Sequence, residues 1–224
     1  MATIRTQYDG CVAAATSQTH CGCRLPILSP VRRGILGGTF DPPHYGHLFM
    51  GEVAYWQLGL DVVTFLPAGA PWQKEDRDVA DRHHRLAMTR LAIAGVPYFE
   101  ADPREVERDG WTYTADTLGT YPDGEELFVV LGADAATRLP TWDRCDEVLE
   151  RAEIAVMPRS GYSRGDIVAL FGESGFIWLD GPELEVSSTE IRQRDEEGKP
   201  IRFLLPDAVR TYAETVGLHR GHKA

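Results

Sequence analysis

Gly34-Ile35-Leu36-Gly37-Gly38-Thr39-Phe40-Asp41-Pro42-Pro43-His44-Tyr45-Gly46-His47 decides how the rest of this chain is read. An apolar stretch runs into a glycine pair, and the residues after His47, Leu48-Phe49-Met50-Gly51-Glu52-Val53-Ala54, read as a helix. Strand, glycine turn and helix in that order is the unit on which α/β proteins hold phosphate, because a helix N-terminus presents unpaired N–H groups. Gly37 and Gly38 lack Cβ atoms, so the backbone can take positive φ there and let a phosphate approach the peptide N–H groups closely. Thr39 adds a hydroxyl donor, and Pro42 and Pro43 stiffen the turn. His44 and His47 stand three apart, so they are expected on one helix face, donating to the same anion. An isolated H-x-x-H would more simply be a turn with two solvated histidines; the glycine pair and the apolar strand weigh against that.

Composition sets the frame. The 224 residues carry 23 Lys and Arg against 34 Asp and Glu, a net charge of −11. That balance argues against broad binding to nucleic acid or anionic membranes. No apolar run approaches the length of a membrane span and no secretory signal is visible, so a soluble cytoplasmic protein is expected. Cys11, Cys21, Cys23 and Cys145 make no disulfide framework, the Cys21-Gly22-Cys23 spacing is tight for zinc, and no protein-bound metal is expected. Residues 1–33 hold four arginines against Asp9 alone, a charge of +3 that leaves −14 for the rest. They show no periodicity and read as a disordered extension, or as sequence upstream of a start at Val31. The domain is expected over 34–218, with a tail at 219–224.

From Gly34 onward the pattern alternates. Strands are expected at Gly34–Gly37, Asp61–Pro67, Tyr98–Val106, Leu127–Gly132, Ile154–Pro158 and Phe176–Leu179. Helices are expected at His47–Leu58, Arg82–Ala94, Thr114–Tyr121, Asp143–Arg151 and Gly165–Phe171, then at Ser187–Arg194 and Pro206–Leu218. This alternation predicts an α/β fold: a Rossmann-like, doubly wound parallel sheet with helices on both faces and a C-terminal helical segment. Ligands of such sheets sit at the carboxyl ends of the strands.

A second signal is Ser187-Ser188-Thr189-Glu190-Ile191-Arg192. Ser187 with Glu190 three residues on is a capping box. That accounts for two residues and leaves Ser188, Thr189 and Arg192, whose hydroxyls and guanidinium gather at a helix N-terminus suited to phosphate.

Together the two segments resemble the paired signatures of the nucleotidyltransferase superfamily, whose H-x-G-H motif is shared with class I aminoacyl-tRNA synthetases. Within it the chain is similar to the bacterial nicotinate-nucleotide adenylyltransferase family over roughly Arg33 to Leu218. Pro67-Ala68-Gly69, Pro71-Trp72-Gln73-Lys74, Arg85-Leu86-Ala87-Met88, Tyr113-Thr114-Ala115-Asp116-Thr117-Leu118, Leu131-Gly132-Ala133-Asp134, Thr141-Trp142 and Leu204-Leu205-Pro206 agree as well. The chain departs from the pattern at Pro43, where a branched aliphatic is common, and at His219, where tyrosine is frequent.

The resemblance implies direct transfer of the adenylyl group of ATP to nicotinate mononucleotide in NAD biosynthesis, with pyrophosphate leaving and no covalent enzyme intermediate. His44 and His47 are implied as the catalytic pair at the α-phosphate. Gly37, Gly38, Thr39 and Phe40 would orient the phosphates, Ser188, Thr189 and Arg192 would hold the pyrophosphate to be released, and Gly132 and Asp134 would meet the adenosine. Tyr113, Thr114 and Trp142 are implied beside the nicotinate ring. Lys74 is implied on the ATP phosphates and Arg85 on the nicotinate nucleotide. Mg2+ is implied as a passenger of the triphosphate, without a protein site. The partners are small molecules, and the sequence leaves a homo-oligomer open. An adenylyltransferase for nicotinamide mononucleotide or pantetheine phosphate is the alternative enzyme, and a non-catalytic nucleotide sensor is the alternative of another class.

Overall fold

The computed structural model describes residues 29–70 and 79–218. β1 (Arg32–Gly38) lies inside a six-stranded sheet with β2 (Val62–Pro67), β3 (Phe99–Ala101), β4 (Glu126–Gly132), β5 (Glu153–Met157) and β6 (Ile177–Trp178), in the order β3-β2-β1-β4-β5-β6. Every pairing is parallel. The chain winds outward from β1 to one edge and then from β4 to the other, so a crevice opens at the carboxyl ends of β1 and β4.

Helices fill the crossovers. α1 (Tyr45–Leu58), α2 (Arg82–Ile93) and α3 (Thr114–Leu118) follow β1, β2 and β3. α4 (Ala133–Ala136) and α5 (Cys145–Arg151) follow β4, α6 (Arg164–Phe171) follows β5, and α7 (Ser188–Glu196) and α8 (Asp207–Val216) close the chain. Alternation along the strands divides the core. Leu36, Phe128 and Val130 pack with Met50, Met88, Ile191 and Val209 on one face; Ile35, Val129 and Leu131 pack with Leu118, Val148 and Ile167 on the other. Covering both faces is why Leu127–Leu131 is a continuous apolar run instead of an alternating one. Each such side chain contributes roughly 1.5–3 kcal/mol of burial. None of the helices among the described residues is long and apolar enough to cross a membrane.

Several elements differ from those expected. β1 starts at Arg32, not Gly34, because Arg32 pairs with Glu126 at 2.5 Å and Arg33 with Glu125 at 2.7 Å across neighbouring segments. Those charges had read as part of the tail. β3 ends at Ala101, not Val106: Pro103 has no N–H for a ladder, and the Asp102 carboxylate turns to Arg104 at 2.6 Å. α4 is a single turn of mostly alanine with no amphipathic pattern to announce it. Of the extension expected at 1–33, residues 1–28 lie outside the described residues, as do Lys74 and the tail at 219–224.

Candidate active site

Two cavities adjoin at the carboxyl ends of β1 and β4. The larger, about 310 Å³, is lined by Gly37, Gly38, Tyr113, Thr114, Gly132, Asp134 and Trp142, with Glu105 and Thr112 beside them. The smaller, about 170 Å³, is lined by Asp41, His44, Ser187, Ser188, Thr189 and Arg192. Thr39, His47 and Arg159 border both and form the waist between them.

The turn that leads into α1 leaves unused the left-handed freedom that its glycines offer. Neither Gly37 nor Gly38 takes positive φ; the left-handed residue is Phe40, at φ 51°. Pairing of Gly37 with Leu66 and Gly38 with Pro67 keeps both glycines extended as the last residues of β1. Their value is space. A Cβ on Gly37 would meet nothing within 4 Å and would project into open room, and one on Gly38 would press on the Phe40 ring at 3.2 Å. Phe40 is 1% exposed and lines neither cavity; its ring meets His47 edge-on, with centroids 4.9 Å apart. It supports His47 from behind where the sequence had implied contact with the nucleotide. A bulky residue in left-handed conformation is strained, and such strain collects at functional sites.

His44 caps α1 and His47 stands at its third position. Their rings stack, with centroids 3.7 Å apart and planes 25° apart. Gly46 between them is a packing requirement, since a Cβ would lie 3.1 Å from both the His44 ring and Val186. The backbone N–H of His44 donates to His47 Nδ1 at 3.2 Å. That bond makes Nδ1 an acceptor and leaves the ring proton of His47 on Nε2, as a fixed donor. His44 is 2% exposed, and its Nδ1 is buried with no hydrogen-bond partner. Burial, and then the nearby Arg159 charge, pull its pKa down to about 3. His44 is therefore neutral at physiological pH.

A consequence for stability follows. From the ordinary value of 6.5 down to about 3 the unfolded chain binds a proton at His44 that the native state refuses, so stability is full above that window and declines as pH falls through it. Wild-type protein is expected to lose about 1.4 kcal/mol per pH unit more than His44→Gln in the acid range below about pH 6. Urea unfolding at two acidic pH values checks this; equal slopes would remove the assignment.

At the other end Ser187 caps α7, its hydroxyl accepting the Glu190 N–H at 3.1 Å. This is half of the expected capping box; the Glu190 carboxylate pairs with Arg194 at 3.8 Å. Ser188 Oγ donates to Pro42 O at 2.9 Å and Arg192 donates to Asp41 O at 2.7 Å. These bonds dock α7 against the turn before α1 and bring the two motifs, 140 residues apart in sequence, onto one cavity. Arg159 is the residue that sequence reading missed. It follows β5, reaches the Leu184 carbonyl at 3.3 Å and pairs with Asp134 at 4.0 Å. The one sequence signal for it was its place just after a strand's carboxyl end.

Gly132 ends β4, and a Cβ there would lie 2.6 Å from Asp134 Oδ1, so glycine lets this turn close. Tyr113 is the N-cap of α3 and Thr114 begins it, and both line the larger cavity. Glu105 was also unanticipated. It is 6% exposed, accepts from Thr117 Oγ1 at 2.7 Å, and burial pushes its carboxyl above the usual range against that hydrogen bond. Arg85 is not brought to the cleft at all: its side chain lies behind both cavities, bonded to backbone.

Known proteins resemble the chain over most of its length. The cytidylyltransferase-like family matches residues 35–194. The chain is 44% identical to a probable nicotinate-nucleotide adenylyltransferase of Roseiflexus sp. (strain RS-1), over 84% of this chain and 97% of that protein. It is 40% identical to the nicotinate-nucleotide adenylyltransferase of Bacillus subtilis (strain 168), over 83% and 97%. Among solved structures, Plasmodium falciparum nicotinic acid mononucleotide adenylyltransferase complexed with NaAD superposes with a TM-score of 0.71 at 18% identity, over 84% of this chain and 97% of that one, a likeness of fold.

Proposed function

The chain belongs to the nicotinate-nucleotide adenylyltransferases of the cytidylyltransferase-like family, and from that premise we propose that it transfers the adenylyl group of ATP to nicotinate mononucleotide. The products are nicotinate adenine dinucleotide and pyrophosphate, a step of NAD biosynthesis. The observation that carries this reading is the pair of cavities meeting at Thr39, His47 and Arg159. Two substrates laid one on each side of that waist put the attacking phosphate and the α-phosphorus in one place. An oxygen of the mononucleotide phosphate forms the new bond to the α-phosphorus as the bond to the β-phosphate oxygen breaks, and the pair leaves as pyrophosphate. No protein nucleophile is required; the site contributes alignment and charge stabilisation.

Roles follow from placement. His47 offers a neutral Nε2–H donor at the waist, with Thr39 beside it. Positive charge comes from Arg159 and Arg192, since His44 is neutral. Ser188, Thr189 and Arg192 surround the smaller cavity, sized for the departing phosphates. Trp142 gives the larger cavity a ring for stacking on the pyridine, the Tyr113–Thr114 turn gives it N–H donors for the nicotinate carboxylate, and Gly132 and Asp134 give it a turn for adenosine. Mg2+ would enter with the triphosphate, keeping most of its waters and taking few protein ligands.

Pyrophosphate release from ATP and Mg2+ with each acceptor tests the reading. Nicotinate mononucleotide is expected to exceed nicotinamide mononucleotide and pantetheine phosphate by about tenfold or more in kcat/KM, because a receptor built for a carboxylate leaves groups unpaired against an amide. Faster release with nicotinamide mononucleotide would reassign the acceptor. No release with any acceptor would favour a nucleotide sensor.

A further inference from the structure

Arg85, in the first turn of α2, heads the largest fully buried side chains among the described residues, at 1% exposure. Its three nitrogens all donate to backbone carbonyls: Nε to Ala80 at 2.9 Å, and the two terminal nitrogens to Thr39 at 2.8 Å and Gly69 at 2.9 Å. These carbonyls lie on the turn after β1, on the segment after β2 and just ahead of α2. Thr39 is a waist residue bordering both cavities. Gly69 lies against the loop after β3 so closely that a Cβ would stand 2.0 Å from the Glu105 carbonyl oxygen, and Glu105 lines the larger cavity. The peptide of Ala80 is gripped from both sides, its N–H donating to the Asp41 carboxylate at 3.2 Å.

We propose that Arg85 is a positioning residue that holds the phosphate turn and the acceptor-side loop in one frame, so that a single buried guanidinium aligns both substrates without touching either. The proposal rests on the two-substrate reading above. Burial disfavours the charged guanidinium, opposed by the Asp41 and Asp81 carboxylates. An apolar side chain would fill the space without that desolvation, but would take the guanidinium donors from all three carbonyls, the buried one of Gly69 among them, and leave the two loops unlinked. Only a planar fork with donors in fixed directions serves three carbonyls at once; a lysine is a point donor on a flexible stem.

The experiment compares wild type, Arg85→Lys and Gly69→Ala at a temperature well below each variant's melting midpoint, with folding checked by circular dichroism. Arg85→Lys keeps the charge and loses the fork; Gly69→Ala keeps Arg85 and forces Gly69 away from Glu105. Displacements of this size cost about a hundredfold in well-aligned active sites. Each variant is expected to lose about tenfold to a hundredfold in kcat/KM, for ATP and for nicotinate mononucleotide alike. A loss confined to one substrate, or a lowered melting midpoint with kcat/KM per folded molecule unchanged, would overturn the proposal. Should one variant give no cooperative melt, the other decides by the same criteria. Failure of the acceptor reading is separate, since it is seen in wild type as turnover with a different acceptor, and the comparison then runs on that acceptor.

Discussion

His47→Ala is expected to lower kcat by about 10²–10³-fold, the loss seen when a donor to developing charge is removed from an active site. That ring is held by the edge-on contact with Phe40, the stack on His44, and the His44 N–H bonded to Nδ1, among others. These contacts fix its orientation before substrate arrives, which is what makes a hydrogen-bond donor effective at a transition state. Alanine removes the donor and also leaves the His44 N–H without its acceptor, a capping loss of about 1 kcal/mol. The variant should therefore fold, with a modestly lowered melting midpoint, and turn over at the stated reduced rate. Steady-state kinetics beside a thermal melt separates the two effects, and a wild-type kcat would dismiss His47 as the donor.

Arg159→Met should cost about a hundredfold in kcat/KM for ATP, since it removes the cation at the waist and leaves Arg192, one nitrogen of which is bonded to the Asp41 carbonyl. Arg159 also reaches the Leu184 carbonyl at 3.3 Å, in the segment that delivers α7 to the cleft, so some loss would come from displacement of Ser188 and Thr189. Arg159→Lys separates these contributions: it restores charge without the fork and is expected to recover part of the rate. If Arg159→Met retained wild-type kcat/KM, the positive charge at the reacting phosphates would have to come from elsewhere.

The fold was legible because its signals are local. Apolar runs for strands buried on both faces, glycine at turns and helical periodicity between them are each written within about fifteen residues, and together they predicted the doubly wound sheet. What was misread depends on partners far along the chain. Arg32 and Arg33 belong to a central strand although charged, and their partners Glu125 and Glu126 lie some 90 residues away. The Gly37-Gly38 pair suggested left-handed backbone, whereas sheet pairing keeps both extended and passes the strain to Phe40.

By itself the sequence determined the fold class, the two motif segments and the chemistry they resemble, because residue type and spacing are enough to name a strand, a glycine turn or a phosphate-binding helix start. Tertiary structure alone decided how those parts divide the work. Only packing could bury His44 and keep it neutral, bring Arg159 to the waist and send Arg85 behind the cleft. The reason is physical: protonation, orientation and access depend on the desolvation and the hydrogen-bond partners that distant segments provide, and none of these is a property of a residue's neighbours in sequence.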